Sequence, residues 1–377
     1  MAGNETTDVR KGLKGVKADE TAISTVDPDR DTLLYRGYPI EELAARCSFE
    51  EVVHLLVEGD LPSSAQLEAF RGKERGLRKL SDRLHEVIAR FPASAHPMDT
   101  LRTGVSFLGL EADGVNPGDP PTRAQAVELQ ARIPTIIAAA RRRARGEAPI
   151  APREDLGIAA NFFWMCFGEL PDDKVVAAFD TSLILYAEHS FNASAFVSRV
   201  VLSTESDLFG ATTAAIAALK GPLHGGANEA VVEMLEEVAR PENAVDWVRR
   251  ALDEGRKIMG FGHRVYQNGD SRVPPMRQQL DRLAEVRGER GWLELVDAVE
   301  RAMDEAKGIF PNLDFPAGAA YRLMGFETPL FTPIFVLARM SGWSAHALEQ
   351  AAHNALIRPV ADYTGPGPRA VRPIEER

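Results

Sequence analysis

The sequence, 377 residues long, predicts an all-α protein. Three observations carry that class. Apolar residues recur at helical spacing through most of the chain, segments that alternate apolar with polar are scarce, and helix-start signals stand directly ahead of several apolar runs.

In chain order, residues 13–36 hold short alternating candidates such as Thr32-Leu33-Leu34-Tyr35, with turn signals around Asp27-Pro28. They read as a small ribbon or extended arm. Ser48 with Glu51, and Ser63 with Gln66, have capping-box spacing before apolar runs. Residues 111–122 and 146–153 are rich in helix breakers and read as surface loops. Arg141, Arg142, Arg143 and Arg145 read as the solvated cationic end of a helix, where positive charge meets the negative end of the helix dipole. Helical spacing then runs through 174–203, 207–220, 227–240, 245–254, 276–286 and 292–306. Gly221-Pro222 supplies a stop and Thr332-Pro333 a start.

Composition narrows the function classes. Hydrophobic residues make up 45% of the chain, enough for a real core, and charged residues 26%, as in soluble globular proteins. No uncharged apolar run reaches the ~18 residues that a membrane span needs. The first residues lack a basic-then-apolar secretory pattern and are too acidic for a transit peptide. Cys47 and Cys166 sit in apolar, helix-like runs and read as buried free thiols, so a reducing cytoplasm is the expected compartment. A formal net charge of -11 argues against nucleic acid as a partner. An anionic substrate would therefore need a local cationic pocket.

The second half of the chain offers one. His189, His224 and His263 lie beside glycine or in segments that interrupt helices. Glycine lets backbone approach a ligand closely. Taken singly, each histidine reads more simply as a surface or capping residue than as a functional one. His54, His85, His346 and His353 fit helix faces and read as structural, and His96 resembles a helix start. No His-Glu-x-x-His, cysteine pair or dense carboxylate cluster accompanies them, so no metal site is expected. Gly-x-Ser-x-Gly is absent, and Gly260-Phe261-Gly262-His263 lacks dinucleotide-loop spacing. Asp314 stands among apolar and helix-breaking neighbours. It is either the cap of the helix through Ala319 to Met324 or a desolvated carboxylate with a strengthened basicity. Arg272, Arg339 and Arg358 lie in apolar or Pro-flanked segments. A buried guanidinium wants a carboxylate, either a structural Asp or Glu or a dicarboxylate substrate.

Together these segments resemble the citrate synthase family, and in its order. The likeness runs from residues 12–16 (Gly-Leu-Lys-Gly-Val) and 35–38 (Tyr-Arg-Gly-Tyr) to 358–365 (Arg-Pro-Val-Ala-Asp-Tyr-Thr-Gly). Its specific blocks are 191–194 (Phe-Asn-Ala-Ser), 221–229 (Gly-Pro-Leu-His-Gly-Gly-Ala-Asn-Glu), 260–266 (Gly-Phe-Gly-His-Arg-Val-Tyr) and 311–314 (Pro-Asn-Leu-Asp). The resemblance implies a citrate-synthase-like two-domain helical fold. Residues 1–224 and 324–377 would form the large domain, and 225–323 a smaller inserted domain closing over the active site. It implies that Asp314 removes a proton from the acyl-CoA, that His224 donates to the thioester oxygen, and that His263 polarises the oxaloacetate carbonyl. His189, Arg272 and Arg339 would hold oxaloacetate, and Arg358 would reach the neighbouring active site of a homodimer. Residues Lys257, Ile258, Met259, Gly260, Phe261 and Gly262 would wrap the CoA adenine.

The implied substrates are oxaloacetate with acetyl-CoA or propionyl-CoA, the products citrate or 2-methylcitrate plus CoA. No tightly bound cofactor is implied, the coenzyme A thioester being a substrate. Length and opening block lean towards the small bacterial citrate and 2-methylcitrate synthases. Gln267 departs from the pattern, standing where relatives often carry a cation facing CoA phosphate. Two competitors are a catalytically idle scaffold of the same fold, which loss of His224, His263 or Asp314 would have suggested, and a metal-dependent hydrolase, which chelators would inhibit.

Overall fold

The structure is a computed structural model that describes residues 9–377 apart from Lys14, residues 28–31, Pro117, Arg264, Gln267 and Asn268. The Gln267 departure and Pro28 of the first turn therefore lie outside the described residues. The expected ribbon is a three-stranded antiparallel meander of β1 (Ser24–Asp27), β2 (Thr32–Tyr35) and β3 (Tyr38–Pro39). Arg36 and Gly37 turn β2 into β3 with φ of 49° and 90°, the left-handed pair that a two-residue hairpin requires.

Sixteen α-helices follow among the described residues. They are α1 (Ile40–Arg46), α2 (Phe49–Glu58), α3 (Ser64–Leu77), α4 (Asp82–Ala89), α5 (Pro97–Glu111), α6 (Arg123–Ala144), α7 (Ile158–Phe167) and α8 (Asp173–Tyr186). Next come α9 (Ala193–Leu202), α10 (Leu208–Leu219), α11 (Ala227–Val238), α12 (Ala244–Asp253), α13 (Val273–Arg287), α14 (Gly291–Lys307), α15 (Asp314–Met324) and α16 (Phe331–Ala352). Both expected capping boxes form: the Glu51 carboxylate accepts from Ser48 N at 2.7 Å, and the Gln66 amide oxygen from Ser63 N at 2.9 Å. His96 caps α5, its Nδ1 accepting from Met98 N.

The core is organised around α16, which is buried on every side from Phe331 to Ala347 and packs on α2, α6, α8, α9 and α10. A helix apolar all round belongs in the middle of a bundle. Helices α11 to α15 pack on one another, with α13 and α15 also meeting α8.

Three local expectations need correction. The apolar spacing of 174–203 is two helices, because residues 187–192 are drawn out of α8 by tertiary contacts. Tyr35 Oη donates to Glu188 O and accepts from Glu188 N, Ser24 Oγ accepts from Ser190 N, and Ser190 takes a φ of 49°. Asn192 then caps α9, accepting from Ala195 N. The arginine cluster does end α6, but Arg141 is not solvated. It is buried, paired with Glu327, and donates to Cys166 O at 2.6 Å, so satisfied partners rather than water hold the charge. Cys166 is a buried free thiol in α7, whereas Cys47 lies just past α1 and is only half-buried.

Candidate active site

Two of the helix interruptions flagged in the sequence meet α16 and the loop ahead of α13 at one place. The His189 and His263 rings stand 4.9 Å apart, with Tyr266 4.7 Å from His263 and 5.7 Å from His189. His189 Nε2 is enclosed and has no hydrogen-bond partner among the described residues. Burial, then the charge of Arg272 and the neighbouring His263, hold its pKa well below the usual value, so the ring is neutral.

The other two imidazoles have their tautomers fixed by backbone. His263 Nδ1 accepts from Val265 N at 3.1 Å and Tyr266 N at 3.4 Å. A backbone N–H can only donate, so Nδ1 is bare and Nε2 carries the proton. His224 is the reverse: its Nε2 accepts from Ser194 N at 3.2 Å and lies 2.8 Å from Ser194 Oγ, so Nδ1 carries the proton. Trp343 Nε1 donates to that same Oγ, which ties the arrangement to α16. His263 keeps an exposed face, yet desolvation and then Arg272 push its pKa down to about 4. Desolvation, then Arg339, does the same to His224, also to about 4. Each ring is therefore a neutral donor near pH 7, with one defined N–H that has no partner among the described residues.

Asp314 opens α15 without capping it. Asn312 Oδ1 accepts from Asp314 N at 3.1 Å, while the Asp314 carboxylate accepts from Tyr186 Oη at 2.7 Å. Burial raises its pKa; the Tyr186 hydrogen bond and the charges of Arg272 and Arg339 oppose but do not cancel that rise. The outcome is a carboxylate with strengthened basicity, the property wanted in a base. Phe335 bridges this group to His224, its ring lying 4.5 Å from that of Tyr186 and 6.4 Å from that of His224.

The arginines differ in their settings. Arg272 is buried and held bidentately by Asp270 at 2.9 and 2.7 Å, and Asp270 Oδ2 also accepts from Leu313 N, the residue before Asp314. Arg339 is buried on α16, donates from Nε to Tyr186 O at 2.7 Å, lies over the Phe335 ring, and has no carboxylate within ion-pair distance among the described residues. Arg358 is exposed, beyond the end of α16, and the fold of one chain does not bring it to the others.

The segment 257–262 locks onto the Asp314 loop. Gly262 N donates to Phe310 O, Asn312 N to Gly260 O, and Asn312 Nδ2 to Gly262 O, at 2.8–3.0 Å. Phe261 packs on Phe315 with ring centres 4.6 Å apart. Gly260 has φ 82°, and a Cβ there would stand 2.8 Å from Phe315 Cβ and from Val231 Cγ2, so both conformation and space exclude a side chain. Lys257 is exposed, and Ile258 is buried beneath it.

The structure thus gathers His189, His224, His263, Arg272, Arg339 and Asp314, and leaves Arg358 outside. It adds Tyr186, Ser194, Asp270 and Glu188, which the sequence did not single out. Glu188 and Asp270 carried a usable signal, each being an acidic residue within two positions of a flagged His or Arg.

The family model described as "Citrate synthase, C-terminal domain" matches residues 12–360. The chain is 52% identical to a 2-methylcitrate synthase of Mycobacterium tuberculosis, over 96% of this chain and 92% of the relative. It is 50% identical to a citrate synthase of Mycolicibacterium smegmatis, over 96% and 97% of the two chains. Among solved structures, the ternary complex of carboxymethyl coenzyme A and oxaloacetate with citrate synthase from Thermoplasma acidophilum superposes with a TM-score of 0.91 at 31% identity, covering 98% of this chain and 100% of that one.

Proposed function

Since the chain belongs to the citrate synthase family, we propose that it condenses acetyl-CoA or propionyl-CoA with oxaloacetate and hydrolyses the thioester, giving citrate or 2-methylcitrate plus CoA. The observation that carries this reading is the pairing of one desolvated carboxylate, steadied by Tyr186, with two neutral imidazoles whose free N–H groups are fixed by backbone donors. That set is what carbon–carbon bond formation through an enol or enolate requires.

Asp314 removes a proton from the α-carbon of the acyl group. His224 Nδ1–H donates to the thioester oxygen, where negative charge develops. His263 Nε2–H binds the oxaloacetate carbonyl, polarises it, and passes it a proton as the new carbon–carbon bond forms. His189, Arg272 and Arg339 hold oxaloacetate, and Arg358 serves the neighbouring site of a homodimer. Its exposure at the end of a chain segment lying away from its own core supports that last role. Residues 257–262 receive the CoA adenine, mostly through backbone. No tightly bound cofactor takes part.

Residues 225–323 form the smaller lobe, inserted into the larger lobe of 1–224 and 324–377. Closure between them expels water from the enolate. The mutual packing of α11 to α15 supports that division. No helix among the described residues is long and apolar enough to cross a membrane, and the cytoplasm is the proposed compartment.

One methylene separates the two acyl-CoA substrates, a difference that a pocket discriminates by about 1–3 kcal/mol. The enzyme is proposed to accept both, with the 2-methylcitrate branch favoured. Oxaloacetate supplied with each thioester in turn should release free thiol, measured as a rate against protein concentration. Folded protein that releases none with either ester overturns the proposal.

A further inference from the structure

The buried carboxylate of Glu188 poses a question that the reaction itself does not answer. Glu188 and Arg339 are opposite charges, both buried, approached by the same face of α16, yet they do not form an ion pair. An unpaired buried guanidinium is costly, and a carboxylate so near would ordinarily claim it.

The geometry shows what keeps them apart. Arg339, Gly342 and His346 lie at i, i+3 and i+7, one stripe of α16. Arg339 Nε donates to Tyr186 O at the start of the facing segment. A Cβ on Gly342 would collide with Glu188 Oε2, so the carboxylate lies directly over that glycine. At the far end of the stripe, His346 Nε2 stands 2.9 Å from Glu188 Oε1. Arg199 Nη1, which can only donate, is 3.0 Å from His346 Nδ1. His346 therefore accepts from Arg199 and donates through Nε2 to Glu188. Arg199 is in turn anchored by Glu349 at 2.8 Å and Asp19 at 3.3 Å. Ser24 Oγ gives Glu188 Oε1 a second donor, at 2.9 Å. Oε2 is sealed from solvent and has no hydrogen-bond partner among the described residues.

We propose that His346, backed by Arg199, is a positioning residue that tethers the Glu188 carboxylate away from Arg339 and so keeps that guanidinium free for a carboxylate of oxaloacetate. Glu188 is an internal competitor for the substrate's counter-ion. It stays because its negative charge makes a buried Arg339 tolerable while the site is empty. The proposal rests on the reading of Arg339 as an oxaloacetate ligand.

The test is a double-mutant cycle on the full chain. Oxaloacetate binding is measured by calorimetry, and KM for each substrate by thiol release. His346→Leu removes the tether and Glu188 swings to Arg339. Oxaloacetate affinity then falls about tenfold or more while the KM for acyl-CoA holds, because an internal rival has taken a charge-assisted hydrogen bond from the substrate. Adding Glu188→Gln removes the rival, so the double variant recovers most of that affinity. Damage to packing alone would leave the double variant as weak as His346→Leu, or weaker, and that result overturns the proposal. So does a His346→Leu protein that binds oxaloacetate like wild type. Should His346→Leu not fold, Ser24→Ala cuts the second tether to the same oxygen. It should give a smaller weakening of the same sign, again relieved by Glu188→Gln; no weakening, or no relief, counts against the tether. Wild-type protein that neither binds oxaloacetate nor releases thiol refutes the reaction itself. Wild-type turnover with an unmoved cycle refutes the tether alone.

Discussion

The two ends of the proposed oxaloacetate-binding set are built in opposite ways. Around residues 186–194, most polar groups are satisfied by α16 or by the β1–β2 ribbon, and the guanidinium of Arg339 is sunk in the core. Beyond Ala352 the chain is almost wholly exposed, with one short helical turn near its end, and Arg358 stands in water. The contrast shows what each arginine needs. Arg339 is organised before any substrate arrives, and its burial is tolerated because the surroundings were shaped for it. Arg358 is exposed in a single chain, and in the proposed dimer it would be organised against the neighbouring surface.

That contrast is sharpened by Arg358→Gln. If the tail serves the neighbouring site, the substitution should raise the oxaloacetate KM or lower kcat by roughly 10–100-fold, the range for losing a charge-assisted hydrogen bond, with little change in melting temperature. Mixing it with an Asp314→Asn chain under subunit exchange should restore part of the activity, since one hybrid site then has both residues intact. Steady-state rates of the mixture check this; no recovery despite exchange places Arg358 in its own subunit's service.

On the buried side the expected effect is smaller and shows in pH. Tyr186→Phe removes a hydrogen bond that favours the ionised form of Asp314. The carboxylate pKa, already raised by burial, rises further, so a larger fraction is protonated and idle at a given acidic pH. The acid limb of kcat should move to higher pH, with a loss of roughly tenfold or less at its plateau. An unmoved acid limb would show that the hydroxyl does not govern the base.

Much of this contrast was legible in the sequence, and the rest was hidden for a physical reason. Helices, caps and the ribbon follow from contacts within a few residues, which the pattern displays directly. The break at 187–192 does not, because Tyr35 and Ser24, some 150 or more residues away, impose it on a segment whose own spacing continues as helix. Glycine neighbours pointed to His224 and His263. Tyr186 gave no such sign, since its role exists only through Asp314, 128 positions further on. Asp314 itself could not be separated from a helix cap by local pattern; only the finding that its carboxylate accepts from Tyr186 Oη, and that α15 has no side-chain cap, decides it. The role proposed for Arg358 came from family likeness alone.

The most direct measurement on the whole account is Asp314→Asn, followed by thiol release and by oxaloacetate calorimetry on the same preparation. Turnover should fall by about 10²–10⁴-fold with both acetyl-CoA and propionyl-CoA, with oxaloacetate affinity close to wild type. An Asp314→Asn protein that turns over at the wild-type rate contradicts it.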